Sequence, residues 1–463
     1  MDVRSKRIVG ITLIFAIGLC VGTAAAFYGL PDVLVESPKF GMPAFKRSGD
    51  SLQVSVILPT PLPTDPSLTN LTVAGIWGEY PLAVQSVTSQ LTGFHAQVTI
   101  SARIPSGIPA GLYNITIATG ALVLTEPHAL DVVADFKSAI RIVHISDLHI
   151  EAANNQDLNY LRGMVSEINL VRPDVVICTG DVADLAMRVE WDEAYNALLA
   201  LQVPLLMVLG NHDLGSVNVF YELFAPQYYS VDYGTYFHFT AFNTGDKYTS
   251  LARTWPCWDF LTADLAAAQN ASQRIVMCHI PPYDKDGDFN MPGQAISPDF
   301  DALMVADNVG LLLVGHVHQD EVSDCQGNPI TSLPASGPVV IQTHAYNHYR
   351  IIEISSTSGV TAATYDPEGT GAPASITVDN LSYSAASNDG TSKSVTLQVI
   401  NNLNQTLTRC RFTFALAASN STPYVAVGGN IMQVQAVGSA ILADVTFSAL
   451  ALATTNVTVR EGP

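Results

Sequence analysis

Val175-Val176-Ile177-Cys178-Thr179-Gly180-Asp181-Val182-Ala183-Asp184 is an apolar, β-branched run that stops at a glycine and an aspartate. Short continuous apolar runs closed by a turn signal read as strands buried on both faces. The pattern recurs four times. Arg141 to Ile145 leads into Asp147-Leu148-His149, and Leu205 to Leu209 into Gly210-Asn211-His212-Asp213. Ile275 to Cys278 leads into His279, and Leu311 to Val314 into Gly315-His316-Val317-His318. Helical periodicity fills the gaps. Leu158, Leu161, Val165 and Ile168 share one face, with Asp157 available as a cap; further helices are expected over Glu190 to Leu201 and Phe260 to Ala268. Strand alternating with helix predicts an α/β fold, and in open α/β sheets the strand C-terminal ends are where ligands gather. Every motif stands at such an end.

The flanks read differently. From Phe27 to Lys137, short β-rich runs (Leu52 to Leu58, Leu71 to Ile76, Ala96 to Ala102, Tyr113 to Ala118, Leu130 to Val133) are broken by Pro and Gly, which predicts a small β-sandwich. Tyr349 to Ser355 and Gly359 to Tyr365 form a closing hairpin, and the Gly- and Pro-rich Asp366 to Pro373 reads as a linker. Strands return at Ser394 to Asn401, Arg411 to Ala415 and Leu442 to Ala449, a second sandwich. The expected organisation is 1–27 signal peptide or membrane anchor, 28–138 β-sandwich, 139–366 the motif-bearing domain and 374–463 C-terminal β-sandwich.

Arg4, Lys6 and Arg7 precede an apolar run from Ile8 to Phe27 that ends near Thr23-Ala24-Ala25-Ala26. These are the parts of a secretory signal, and a run of ~20 apolar residues also suffices for an uncleaved anchor. Cys20 follows Leu19, too bulky for a lipoprotein processing site. Export is expected either way, to an extracellular or cell-surface location. Seven Asn-x-Ser/Thr sequons (Asn70, Asn114, Asn270, Asn380, Asn404, Asn420, Asn456) agree, six of them outside the motif-bearing stretch. Five cysteines beyond Cys20 leave no closed disulfide framework; Cys178 and Cys278 read as packed thiols, and Cys257 and Cys325 as a candidate pair. Acidic residues outnumber basic ones 41 to 21, a net charge of -20, which excludes general nucleic-acid binding but not a small phosphate ester.

The order and identity of the five motifs resemble the calcineurin-like metallophosphoesterase superfamily, which includes purple acid phosphatases and class III cyclic-nucleotide phosphodiesterases. The resemblance covers Ile140 to Tyr365 and implies a four-layer α-β-β-α sandwich, here flanked by all-β domains. It implies Asp147, His149 and His318 as ligands of a first metal, Asn211, His279 and His316 as ligands of a second, and Asp181 as the bridge. It further implies His212 as the residue that protonates the leaving oxygen or steadies the phosphoryl charge, with Asp213 orienting its ring. Independently, a carboxylate is the side chain best able to bridge two cations, and paired metals can clamp an in-line displacement. Imidazole and carboxylate donors suit two divalent ions among Mn, Fe, Zn and Co. The reaction implied is attack of a metal-bridging hydroxide on the phosphorus of a phosphodiester or phosphomonoester.

Purple acid phosphatases carry a tyrosine three residues after the bridging aspartate. Asp184 stands there, so their charge-transfer colour is not expected, and the Gly-Asp-x-x-Asp form lies closer to the cyclic-nucleotide branch. His144, inside a strand, reads as packed; His344 and His348 are open between substrate contact and surface. Asp284-Lys285-Asp286-Gly287-Asp288 lacks the order of a calcium loop, and Tyr283 is a candidate stacking residue. The sequence thus predicts an exported dinuclear-metal phosphoesterase; the rival is a surface adhesion or scaffold protein carrying an inactive phosphoesterase fold.

Overall fold

Along Gln273–Met277 and Val309–Val314 the side chains divide by parity: Ile275, Met277, Leu311 and Leu313 belong to one apolar core, Val276, Leu312 and Val314 to another. Successive strand residues point to opposite faces, so this sheet is covered on both sides. The computed structural model, which describes residues 31–152, 154–244, 256–281, 297–330, 333, 337–363, 374–418 and 423–462, shows the covers. The sheet has six strands in the order Tyr228–Tyr233, Phe237–Phe242, Gln273–Met277, Val309–Val314, Val339–Gln342 and Glu321–Ser323; the inner four are mutually parallel. Helices Pro256–Ala267 and Ser297–Ala306 cover one face through Leu261, Leu265, Phe300 and Met304.

The other face shares its core with a second sheet, ordered Leu205–Met207, Val175–Cys178, Ala139–Ile145, His348–Ser355 and Gly359–Ala362, with Ile376–Thr377 added to His348–Ser355. Its first three strands are parallel and His348–Ser355 runs against them. Helices Asn155–Val171 and Arg188–Leu198 bring Leu158, Leu161, Ile168 and Trp191 into that core. The expected layering of helix, two sheets and helix is present, and so is the hairpin of His348–Ser355 with Gly359–Ala362. Both sheets aim their strand C-terminal ends at the same loops.

Local differences have local causes. Asn154, not Asp157, caps the first helix: its side chain accepts from the Gln156 amide at 3.1 Å, while its own amide donates to Asp157 at 2.7 Å. The second helix begins at Arg188, because buried Glu190 at its third position accepts from the Met187 amide and fixes the entry.

In the N-terminal β-region, one eight-stranded sheet folds across the long strand Gly78–Thr92, which pairs with Asn70–Gly75 in its first part and His95–Arg103 in its second. A bulge between Val84 and Ser86 marks the bend. Val54, Ile100, Val73 and Ile117 fill the enclosed core. The C-terminal β-region pairs a four-stranded with a three-stranded sheet over Leu397, Val399, Phe414, Val445 and Val457. It is tied to the α/β layers by Arg141, which donates to Glu353 at 2.7 Å and to the Thr408 carbonyl at 2.7 Å.

The N-terminal region enters the α/β core directly. Gly41 donates to the Phe224 carbonyl and accepts from Met207, both at 3.0 Å, extending the Leu205–Met207 edge. Lys39, fully buried, donates to the carbonyls of Val35 at 2.9 Å and Glu222 at 3.1 Å beside Glu126. Phe40 stacks on Phe224.

Several sequence expectations fall outside the described residues: the Ile8 to Phe27 run with Cys20, the Asp366 to Pro373 linker, Tyr283, the Asp284 to Asp288 loop, Asn420 and the Cys257 side chain. Among the described residues no helix is long and apolar enough to cross a membrane. Among the described side chains, Cys178, Cys278, Cys325 and Cys410 are buried free thiols.

One buried cluster predicts a pH response. His238 donates through Nδ1 to Asp232 at 2.7 Å and through Nε2 to Asp264 at 3.0 Å, while Thr240 and Ser230 donate to Asp264. Burial lowers the imidazole, but these carboxylates override it and push it up to about 9 from 6.5. A raised folded-state value means the contribution is complete below pH 6.5 and lost as pH rises through about 9. Melting scans across that window are expected to show a fall in Tm that His238→Gln removes; an unchanged slope would refute the assignment.

Candidate metal centre

The motif residues hold backbone conformations that L-residues avoid. Asp147, His149, Asp181, His316 and His318 have φ of 52°, 43°, 50°, 73° and 60°. Each costs on the order of 1–3 kcal/mol, and such strain clusters where a site demands it. Two glycines allow the close approach of the loops. A Cβ at Gly315 would lie 2.0 Å from Ser146 Oγ and 2.6 Å from Asp147 Oδ2; one at Gly210 would lie 2.1 Å from Asp181 Oδ1.

Two clusters result, each with ligand atoms within 4.8 Å of one another: Asp147, His149 and His318, and Asp181, His279 and His316. Asp181 faces both, its Oδ2 lying 3.0 Å from His279 Nε2 and 3.8 Å from His149 Nε2. Asn211 Oδ1 is 3.0 Å from His279 Nε2. All seven residues expected to bind metal therefore converge.

The donor chemistry tests the fit. His279 Nδ1 lies 2.7 Å from the Thr179 carbonyl, which only accepts, so Nδ1 carries the hydrogen and Nε2 presents its lone pair. When that nitrogen is deprotonated its lone pair meets Asp181 Oδ2 and Asn211 Oδ1, three acceptors around one point that only a cation or a proton reconciles. In the same way His149 Nδ1 faces Asp184 Oδ1 at 3.1 Å, turning its Nε2 toward His318 Nε2 at 3.1 Å. Converging lone pairs are stabilised by cations, and a carboxylate or carbonyl behind each imidazole is the usual second support of a metal-binding histidine.

The electrostatics agree. Burial alone would lower His279, yet the Asp181 carboxylate pushes it up to about 9. Burial, with the His279 charge beside it, holds His316 down to about 4. Burial raises Asp147 and Asp181, but the imidazoles around them, His318 at the first and His279 at the second, hold both below the ordinary carboxylate range. A field that draws a proton onto buried His279 draws a cation to the same point.

Residues 140–320 match the family model described as calcineurin-like phosphoesterase. This segment is a calcineurin-like phosphoesterase domain. Over 80 residues the chain is 34% identical to the glycerophosphodiester phosphodiesterase GpdQ of Enterobacter lignolyticus (strain SCF1), a stretch covering 16% of this chain. The chain spans 29% of that relative's length. Among solved structures it is similar to the purple acid phosphatase PPD1 from seeds of yellow lupin (Lupinus luteus), with TM-score 0.43, 15% identity, and 77% of this chain and 71% of that one covered. It is also similar to GAP50, described as the anchor in the inner membrane complex of Plasmodium, with TM-score 0.39, 15% identity, and 52% and 89% covered.

One expectation for the phosphoesterase domain needs correcting. Asp213 does not orient His212. It is fully buried, with Oδ1 accepting from the Val182 and Ala183 amides at 3.1 Å and Oδ2 from Gly210 at 2.9 Å. It locks the Gly180 to Asp184 loop against the Gly210 loop; burial pushes its carboxyl up to about 7. The neighbour of His212 is Asp184, whose carbonyl lies 2.7 Å from Nδ1 and whose Oδ1 lies 3.6 Å from it. With Nδ1 committed to a carbonyl, Nε2 is the atom free to face a substrate. A third grouping, His149, Asp184 and His212, arises because Asp184 serves both rings.

The remaining histidines sort by burial. His144 is enclosed, Nε2 at 2.8 Å from Thr179 Oγ1 and Nδ1 at 2.7 Å from Thr343 Oγ1, and burial with Arg350 nearby lowers it to about 3. It is a packed neutral residue that supports the Thr179 strand end. His344 and His348 stack on each other at 4.4 Å, and His348 Nε2 lies 3.1 Å from Thr377 Oγ1. Sequence reading missed Tyr346, whose ring stands 5.5 Å from both His149 and His318 and whose amide donates to the Asp147 carbonyl at 3.0 Å. Its place beyond the end of strand Val339–Gln342 is the signal that would have found it.

Gly315→Ala is expected to displace Asp147 and weaken metal binding by at least about tenfold, the scale of lost supporting contacts. Competition with a fluorescent chelator measures it. Wild-type affinity in that variant would show that the close packing is not needed.

Proposed function

We propose that the chain is an exported phosphoesterase that uses two divalent metals to hydrolyse a small phosphate ester, a diester in the first instance. The observation that carries this is Asp181, one carboxylate within reach of both donor clusters. The similarity to a protein named for phosphodiester hydrolysis supports the diester. Asp147, His149 and His318 would hold one cation, Asn211, His279 and His316 the other, and Asp181 both. When bound, the pair supplies Lewis-acid polarisation of the phosphate and activation of a water.

The protein's own groups do the rest. His212 keeps its Nδ1 hydrogen on the Asp184 carbonyl, so when protonated it offers Nε2–H to the leaving oxygen. Asp184 Oδ1 lies 3.6 Å from the same nitrogen. A positioned general acid of this kind contributes ~10²–10⁴-fold. The His212 amide donates to Asp181 Oδ1 at 2.8 Å, which fixes the ring relative to the shared carboxylate. Export is supported by the basic-then-apolar start and by the sequons, of which Asn70, Asn270, Asn404 and Asn456 are exposed.

The test is paired hydrolysis of a bis(aryl) phosphate and an aryl phosphate by chelated protein refilled with Mn²⁺, Zn²⁺, Fe²⁺ or Co²⁺. Metal-dependent turnover with the diester preferred is expected. Metal binding without turnover of either ester would favour the scaffold reading instead.

A further inference from the structure

Directly after Asp184 the chain displays three apolar side chains to solvent: Leu185, Met187 and Val189 are 67%, 41% and 46% exposed. Single exposed apolar residues are ordinary; three within five residues, on the loop and first helical turn that follow the carbonyl holding the proposed acid, are not. The loop is also built to hold them outward. Glu190, buried, accepts from the Leu185 amide at 2.9 Å and the Met187 amide at 3.0 Å. Ser216 donates to the Ala186 carbonyl at 2.6 Å and accepts from Trp191 Nε1 at 2.8 Å. Ala186, at φ 56°, carries the strain of the turn, and its own side chain is buried. Tyr346, whose ring packs 5.5 Å from that of His149, is 39% exposed.

We propose that this rim docks on an uncharged or zwitterionic lipid surface, so that the phosphate ester reaching the metal centre belongs to an amphiphile; the ester rests on the phosphoesterase reading above. A convex leucine gains little from one alkyl chain, which leaves most of it in water. A bilayer or micelle buries the whole side chain, and the gain follows the area removed from water. An aromatic beside an aliphatic lip is the composition that partitions at such interfaces. The net charge of -20 selects against anionic surfaces.

The decisive experiment places tryptophan in the full chain at Met187→Trp and, as a remote control, at Val427→Trp, an exposed position in the C-terminal β-region. Phosphatidylcholine vesicles are expected to shift emission to shorter wavelength for the first and not the second, and phosphatidylserine to weaken the shift. No shift at position 187, or equal shifts at both, overturns the proposal. A shift with monomeric alkyl phosphate but not with vesicles also overturns it, since the rim would then hold a single chain. In a parallel arm, metal-loaded protein hydrolyses dodecyl and methyl 4-nitrophenyl phosphate, the first in uncharged-detergent micelles. The combined Leu185→Ser, Met187→Ser and Val189→Ser variant is expected to lose at least about tenfold in the dodecyl-to-methyl rate ratio, a floor set by burying one such side chain. An unchanged ratio counts against the rim. Insertion at 187 with neither ester hydrolysed would keep the surface contact and remove the phosphoesterase reading.

Discussion

Asp181→Asn is expected to reduce metal-dependent ester hydrolysis by about 10³-fold, because several kcal/mol of Lewis-acid stabilisation converts to that factor in rate. The amide keeps the shape but loses the charge that serves both clusters. Its Oδ1 still accepts from the His212 amide, so the loops keep their places. The position facing His279 Nε2 at 3.0 Å loses the anion that pushes the imidazole up. The expected signature is therefore a folded protein that binds the second metal more weakly. Retained turnover in Asp181→Asn would remove the bridging role and the dinuclear reading with it.

The second large effect is on stability. Asp320→Ala is expected to cost ~3–5 kcal/mol, the scale on which one partner of a buried pair is lost. The Asp320 carboxylate accepts from Arg350 at 2.6 Å, from the His344 amide at 3.1 Å, and from the Ser375 amide and hydroxyl at 3.0 and 2.7 Å. Removing it orphans four donors and leaves the fully buried Arg350 guanidinium unpaired. Burial raises this carboxyl, but Arg350 outweighs it and holds it below 3.8. The stabilisation is thus complete above pH 3.8 and lost as pH falls below it. Urea unfolding at neutral pH measures the loss, and Asp320→Leu combined with Arg350→Met should recover part of it. A midpoint unmoved by Asp320→Ala would mean that the pair does not hold the last motif loop to Ser375.

What the sequence disclosed depended on how far each signal reached along the chain. Buried runs ending at ligands are local and periodic, so Val175–Cys178 and Val309–Val314, and the convergence of their loops, were readable. The Gly78–Thr92 strand was not, because both of its faces are mostly exposed and no apolar alternation marks it. The short helix Val217–Leu223 buries only Phe220 and Leu223 and offers too few turns for a pattern. In the site, adjacency misled: Asp213 follows His212, yet consecutive residues face different ways, and its carboxylate turns to backbone amides. Asp184 reaches His212 only through folding. Asp320 with Arg350, and Tyr346 with His318, are likewise long-range meetings that no local pattern announces.

The insertion of Lys39 to Met42 beside Leu205–Met207 bears on how the protein can be divided. A segment far ahead in the chain supplies the piece that covers an edge of the sheet holding Leu205–Met207. An isolated 139–366 fragment would present Leu205–Met207 as an open β-edge beside the uncovered ring of Phe224, which is a template for self-association. The N-terminal region thus covers the strand that leads to Asn211 and His212, so the two have to be kept on one piece of chain.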